Sequence, residues 1–203
     1  MVEDWRSRES QKAQKVIVAG LGGLGCSASL YLAAAGIGKI VLVDKGKFKL
    51  SDLNRQIFCW TRDIGRFKAE VAKEKLEALN PEIELEARVA EVTENNASDV
   101  MGDADVIVDG MDNWRTLFIV NEYCVTQGTL FIHAGVSTLH GQMITIMPGR
   151  GSCLRCIFPK EPPEVERIPV LDATPALLVS LQVMEAIKLI TRVGSHLLGE
   201  CYS

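Results

Sequence analysis

The run "VIVAGLGGLGCSASLYLAAAG" over residues 16–36 leaves the chain few folds to choose from. An apolar stretch, a glycine cluster and an alanine- and leucine-rich stretch predict a strand, a tight turn and a helix. Gly20, Gly22 and Gly25 meet the G-x-G-x-x-G spacing of a dinucleotide fingerprint. The first glycine allows the turn, the second lets backbone approach a phosphate, and the third lets the helix pack on the strand. Beyond them, the helix N-terminus offers unpaired N–H groups and a positive dipole end to an anion. Asp44 closes the next apolar run, "KIVLVD", about where an acid for ribose hydroxyls belongs. Taken alone, these residues predict an NAD-dependent oxidoreductase.

The rest of the chain repeats the alternation. Strands are predicted at 15–19, 39–43, 83–89, 104–109, 129–134 and 142–147, and helices at 23–35, 66–79, 113–127 and 174–193. This is an α/β pattern: a Rossmann-like, doubly wound, mostly parallel sheet with flanking helices, a long crossover loop over 148–172 and a C-terminal helix. "LNPE" at 79–82 ends the second helix, and Asn113 is the N-cap of the third. In the last helix, Leu177, Leu181, Met184, Ile187 and Ile190 form the expected core stripe. With 203 residues, 47% of them hydrophobic, residues 1–203 are expected to fold as a single domain.

A net charge of −4 gives no reason to expect a nucleic-acid partner. No apolar run reaches the roughly 18 residues of a membrane span, and "MVEDWRSRESQKAQK" lacks a signal-peptide core. A cytoplasmic location without membrane association is therefore expected. The six cysteines (Cys26, Cys59, Cys124, Cys153, Cys156 and Cys201) are scattered, which argues against a disulfide framework. Only Cys153 and Cys156, in "SCLRC", have an informative spacing. Cys26 sits where a helix N-terminus can lower a thiol pKa, although packing is the favoured reading, and Cys124 is expected to be buried.

Downstream residues redirect the glycine turn. After Asp44 the chain runs "KGKFKLSDLNRQIF" before it reaches "DIGRFKAEVAKEKLEALNP". A hydride-transfer enzyme has no evident use for this polar, cationic insertion, whereas a site that handles a triphosphate does. Arg55 and Lys68 can neutralise phosphate oxygens. Asp109 and Asp112, in "VIVDGMDN", lie at a strand's C-terminal edge, where a carboxylate suits a magnesium ion carried on phosphates. Together these residues predict nucleotidyl transfer. Taken singly, each of them fits a solvated, turn or capping residue better, and only the set favours the functional reading.

The ordered set "GLGGLGCSASLYLA", "VLVD", "LSDLNRQ", "GRFKAE", "LNP", "DGMDN", "SCLRCIFP" and "ATPALLVSLQVMEAIK" resembles the ubiquitin-activating-enzyme superfamily, especially its molybdopterin- and thiamine-biosynthesis adenylyltransferases. The resemblance implies ATP and Mg2+ as cofactors and attack of a substrate carboxylate on the α-phosphate, expelling pyrophosphate. It places Gly23 against the phosphates and Asp44 on the ribose. Ser51, Asp52, Leu53, Asn54 and Arg55 form the ATP stretch, Lys68 lies near the α-phosphorus, Asp112 on the magnesium, and Asn113 beside it. Arg55, Lys68 and Asp112 are the expected catalytic residues. A homodimer is also implied.

Departures from the family pattern shape the expected substrate. Asp52 stands where relatives usually carry Asn, and Gly46 where many carry a second acid. With residues 1–19 before Gly20, a shortened N-terminal arginine arm is expected; Arg6 or Arg8 could stand in for it, but as isolated charges in a polar tail they are expected to be solvated. Residues 157–200 hold no cysteine, so a thiol-bearing partner is expected to accept the acyl group. The family's zinc uses two CxxC pairs; Cys153 and Cys156 supply one, and His196 and Cys201 are candidates to complete it, the alternative being a metal-free CxxC. The strands that cradle a ubiquitin-like protein in relatives are not found after the last helix. That favours a small-molecule carboxylate, such as the pyridinol acid handled by a compact branch of the family in iron-guanylylpyridinol cofactor biosynthesis. A ubiquitin-like sulfur carrier, and a non-catalytic nucleotide-binding subunit, remain the other readings.

Overall fold

Alternation of side chains along the central strands builds two hydrophobic layers on one sheet. The computed structural model describes residues 14–137, 140–162 and 173–197. Six strands are ordered β3-β2-β1-β4-β5-β6: β1 (Lys15–Ala19), β2 (Lys39–Val43), β3 (Glu84–Arg88), β4 (Val106–Asp109), β5 (Leu130–Ser137) and β6 (His140–Ile146). The first five run parallel, and β6 returns antiparallel to β5 with His140 opposite Ser137.

Val16 and Val18 point into the layer formed by α1 (Gly23–Ala35), α2 (Lys68–Leu79) and α6 (Ala173–Thr191). Ile17 and Ala19 point the other way, toward α3 (Ala97–Met101) and α4 (Trp114–Gln127). Burial on both faces is why β1 reads as an unbroken apolar run. Each such valine or isoleucine contributes about 1.5–3 kcal/mol by leaving water. The chain order reverses between β1 and β4, and this switch point opens a crevice at the strands' C-terminal ends.

Residues 44–67 do not pass straight from β2 into α2. They fold through two short 3-10 turns, Leu50–Asp52 and Thr61–Asp63, around the buried Phe48. Lys75 of α2 fastens this excursion: it donates to the Phe58 carbonyl, pairs with the buried Asp63 at 2.5 Å, and lies 3.8 Å over the Trp60 ring.

The α/β class and the doubly wound, mostly parallel sheet agree with expectation, with strand ends differing by a few residues. Three expectations need correction. Helix α2 begins at Lys68 rather than 66, with Phe67 extended as its N-cap. In α6, Leu177 and Met184 are 67% and 52% exposed, while Leu178, Val179, Val183, Ala186, Leu189 and Ile190 face inward. Gln182 explains the offset: its side-chain amide donates at 2.8 Å to the main-chain carbonyls of both Asp109 and Ile132, which turns that arc of the helix onto the sheet. Thr174–Thr191 does meet the length and apolarity of a membrane span, with a mean hydropathy of 1.3. Half of it is nevertheless buried within the protein, against α1 and the sheet. The expected crossover loop contains a short helix, α5 (Leu154–Ile157), before the described residues break at 163–172. Arg6, Arg8 and Cys201 lie outside the described residues.

Candidate active site

The glycine turn is held by contacts that exclude side chains. Gly20 has φ +89°, and its N–H donates to the Val43 carbonyl at 2.8 Å. A Cβ on Gly25 would stand 1.8 Å from the Gly20 carbonyl oxygen, so helix α1 can meet the turn only through glycine. Gly22, the α1 N-cap, has more room: its nearest obstacle is the Gly110 oxygen at 3.5 Å. Asp44 staples this turn to its own loop. One carboxylate oxygen accepts the Leu21 N–H at 2.7 Å and the other accepts the Gly46 N–H at 2.6 Å. Each oxygen keeps a further lone pair for a ligand.

Excursion 44–67 delivers the cations. A Cβ on Gly23 would lie 3.6 Å from Arg55 Cγ, which sets the arginine stem against the first turn of α1. Arg55 Nη1 is fixed by the Ser51 carbonyl and by Asn54 Oδ1, each at 3.0 Å. Lys68, at the start of α2, donates its backbone N–H to the Gly46 carbonyl at 3.0 Å, which brings its side chain to the same crevice. Asp52 lies beneath both cations, 3.5 Å from Arg55 Nη2 and 3.8 Å from Lys68 Nζ. A small pocket of about 170 Å3 opens here, lined by Gly23, Ser27, Asn54, Arg55, Pro175 and Ala176. Two cations, a helix N-terminus and a stapled carboxylate at a switch point can hold a phosphorylated nucleoside.

The second wall is the loop after β4. Asp112 is exposed there and makes no hydrogen bond or ion pair among the described residues, while Asn113 caps α4 by accepting the Thr116 N–H at 2.9 Å. Asp109, expected at the open edge with Asp112, is fully buried instead. Its carboxylate accepts the Met111 N–H at 2.8 Å and lies 2.6 Å from His133 Nδ1 on β5. It shapes the loop and offers no oxygen to solvent. Gly110 joins the two walls: its N–H donates to the Ala19 carbonyl, and a Cβ on it would lie 2.4 Å from the Gly20 oxygen. Sequence reasoning missed Gly110 and His133. The signals were a glycine directly after a buried strand and a lone histidine inside the apolar run "LFIHAGV".

Cys153 and Cys156 do not join this site. They sit by α4, where Asn121 accepts the Leu154 N–H. Their sulfurs are 3.6 Å apart, close to the roughly 3.8 Å edge of a tetrahedron with 2.3 Å zinc–sulfur bonds. Among the described residues no third Cys, His, Asp or Glu completes a metal group, and His196 is half-buried beyond the end of α6. Burial pushes the Cys153 thiol up, but N–H groups of Cys156 and Arg155 and the side chains of Cys156 and Asn121 outweigh it and lower its pKa. Burial pushes Cys26 up to about 12 and also raises Cys124 and Cys59, so Cys26 packs rather than reacts. A broad depression lined by Asp103, Tyr123, Arg150 and His196 lies at the opposite, N-terminal ends of the central strands.

Residues 3–203 match the ThiF family. The chain is 37% identical over 190 residues to protein HesA of Leptolyngbya boryana, covering 93% of this chain and 69% of that protein. It is 35% identical over 202 residues to the sulfur carrier protein adenylyltransferase of Thermus thermophilus, covering 95% of this chain and 74% of that one. The crystal structure of E. coli MccB with AMPCPP and MccA superposes with a TM-score of 0.87 at 26% identity, over 97% of this chain. This chain spans 62% of the MccB chain, which has also been solved with ATP.

Proposed function

The chain belongs to the ThiF family, and from that premise we propose that it adenylylates a carboxylate at the expense of ATP. The observation that carries this reading is the convergence of Gly23, Arg55, Lys68 and Asp44 on the β1–β4 crevice. The α1 N-terminus and the backbone at Gly22 and Gly23 receive the phosphates, with Gly20 and Gly25 shaping the turn, and Asp44 accepts the ribose hydroxyls. Ser51 and Asn54 hold Arg55 in place, with the Asp52 carboxylate beside it. A substrate carboxylate oxygen attacks the α-phosphorus in line, the bond to the bridging oxygen breaks, and pyrophosphate leaves with the electron pair. Arg55 and Lys68 offset the negative charge that grows on the phosphate oxygens.

The exposed, unpaired carboxylate of Asp112 beside Asn113 fits Mg2+, which takes one or two protein carboxylates together with substrate phosphates. When bound, the ion supplies positive charge to those phosphates. Zinc at Cys153 and Cys156 has half of its ligands in place, and no catalytic residue depends on it.

Relatives named for a sulfur carrier protein make the C-terminal carboxylate of a ubiquitin-like carrier the first substrate to test, and a small acid such as a pyridinol carboxylate the second. Cys26, Cys59 and Cys124 are buried, and Cys153 and Cys156 lie by α4 away from the crevice, so this reading gives the acyl group to a thiol on a partner protein. A homodimer follows from the family resemblance and is read directly by sedimentation.

Exchange of labelled pyrophosphate into ATP tests the reaction. Exchange should require Mg2+ and one of the two carboxylates, and should fall roughly 100-fold or more in Lys68→Ala and Asp112→Ala. Undiminished exchange in both variants, or tight NAD binding without ATP binding, would overturn it.

A further inference from the structure

Asp52 is only 5% exposed, yet it sits among charges whose task is to hold phosphate. Its Oδ1 is 3.5 Å from Arg55 Nη2, and its Oδ2 is 3.8 Å from Lys68 Nζ. Charge-assisted hydrogen bonds run near 2.7–2.9 Å, so neither cation is locked onto it and both keep donors for another anion. Nor does Asp52 aim Arg55: the Ser51 carbonyl and Asn54 Oδ1 already fix Nη1 at 3.0 Å each. Among the described residues the one close bond the carboxylate makes is to the Lys49 N–H, at 2.9 Å, which a neutral acceptor could replace. What Asp52 adds to this spot is therefore negative charge.

We infer that Asp52 is an internal counter-anion that competes with nucleotide phosphate for Arg55 and Lys68. This rests on the phosphate-cradle reading above. Two cations unopposed would grip ATP and pyrophosphate alike, and affinity shared by substrate and product does not speed the chemical step. A buried carboxylate between them lowers that shared grip and returns both cations to a defined partner when pyrophosphate departs. It tunes product release rather than the attack itself.

The test compares the full-length chain with Asp52→Asn and Asp52→Ser, both of which keep an acceptor for the Lys49 N–H. Calorimetry measures ATP and inorganic pyrophosphate binding at low and high salt, and steady-state assays measure product inhibition. Both variants should bind pyrophosphate and ATP about tenfold tighter, with the gain shrinking in salt, since a charge is removed within 4 Å of each cation. The KM for ATP should fall, and pyrophosphate should inhibit at lower concentration. Asp52→Ser stands in if Asp52→Asn does not fold. Equal or weaker binding by a folded variant, or tightening by Asn but not by a folded Ser variant, overturns the counter-anion. Failure of the wild-type chain to bind ATP or pyrophosphate overturns the cradle reading itself.

Discussion

Replacing Gly110 by alanine should separate the two walls of the site. Its Cβ would stand 2.4 Å from the Gly20 carbonyl oxygen, 2.7 Å from Gly25 Cα and 2.8 Å from Gly25 N. All three are backbone atoms, so no rotamer change relieves the overlap. The β4 loop must withdraw from the glycine turn, and the 2.8 Å bond from Gly110 N–H to the Ala19 carbonyl weakens with it. Overpacking of this kind costs about 3 kcal/mol or somewhat more. In a chain of this size that corresponds to a melting temperature lower by about 6–12 °C. Nucleotide affinity should fall as well, because Asp112 moves away from the turn. Gly22→Ala is the informative partner: its Cβ meets nothing nearer than 3.5 Å, so stability should change by less than about 1 kcal/mol. ATP binding should still weaken, because a methyl group blocks the backbone's approach to phosphate. Thermal melts paired with calorimetric ATP titration read both quantities. A Gly110→Ala protein that melts within about 2 °C of wild type and binds ATP normally refutes the argument.

Other changes test the supporting structure. Lys75→Met strands the buried Asp63 carboxylate and should cost about 3–5 kcal/mol by urea denaturation. Burial pushes the Asp63 carboxyl up, but the hydrogen bond and charge of Lys75 outweigh it and leave the folded pKa below the usual value. The pair's contribution is therefore complete above the ordinary carboxylate range and disappears as pH falls through the depressed folded value. Acid unfolding of wild type should show that limb, and Lys75→Met should lose it. His133→Ala removes the partner of buried Asp109 and should cost about 1–3 kcal/mol in the same assay. His133→Asn should recover part of that loss, since its amide can donate to the carboxylate. Alkylation at pH 8 with peptide mapping should label Cys153 and Cys156 in the native protein. Cys26, Cys59 and Cys124 should react only on unfolding, as burial and raised pKa require.

Features set by short-range pattern were legible from sequence. The uninterrupted apolar runs announced strands buried on both faces, and the roles assigned to Gly20 and Gly25 match a positive φ and a 1.8 Å backbone approach. Asn113 caps its helix as its side chain predicts. Features set by tertiary partners were not. Asp109 and Asp112 look alike in "DGMDN", and only His133, on the neighbouring strand, distinguishes the buried one from the free one. The inward face of α6 depends on two main-chain carbonyls that Gln182 reaches across the sheet, so hydrophobic spacing alone placed Ile190, Leu181 and Ile187 on the core but wrongly included Leu177 and Met184. The Asp63–Lys75 fastening joins a loop acid to a helix cation that local sequence would leave in water.

Asp44 carries a consequence for how this site can diversify. Both of its carboxylate oxygens already hold backbone N–H groups, one in the glycine turn and one in its own loop. Asparagine could accept only one of those bonds, and glutamate would displace the acceptor from both. Under the ribose role proposed for Asp44, ligand recognition and backbone architecture are fused in a single side chain, and mutations there are pleiotropic before any nucleotide arrives. Drift in ribose preference must fall to its neighbours, and at Gly46 even that path is narrow, because a Cβ would lie 3.0 Å from Asp44 Oδ1.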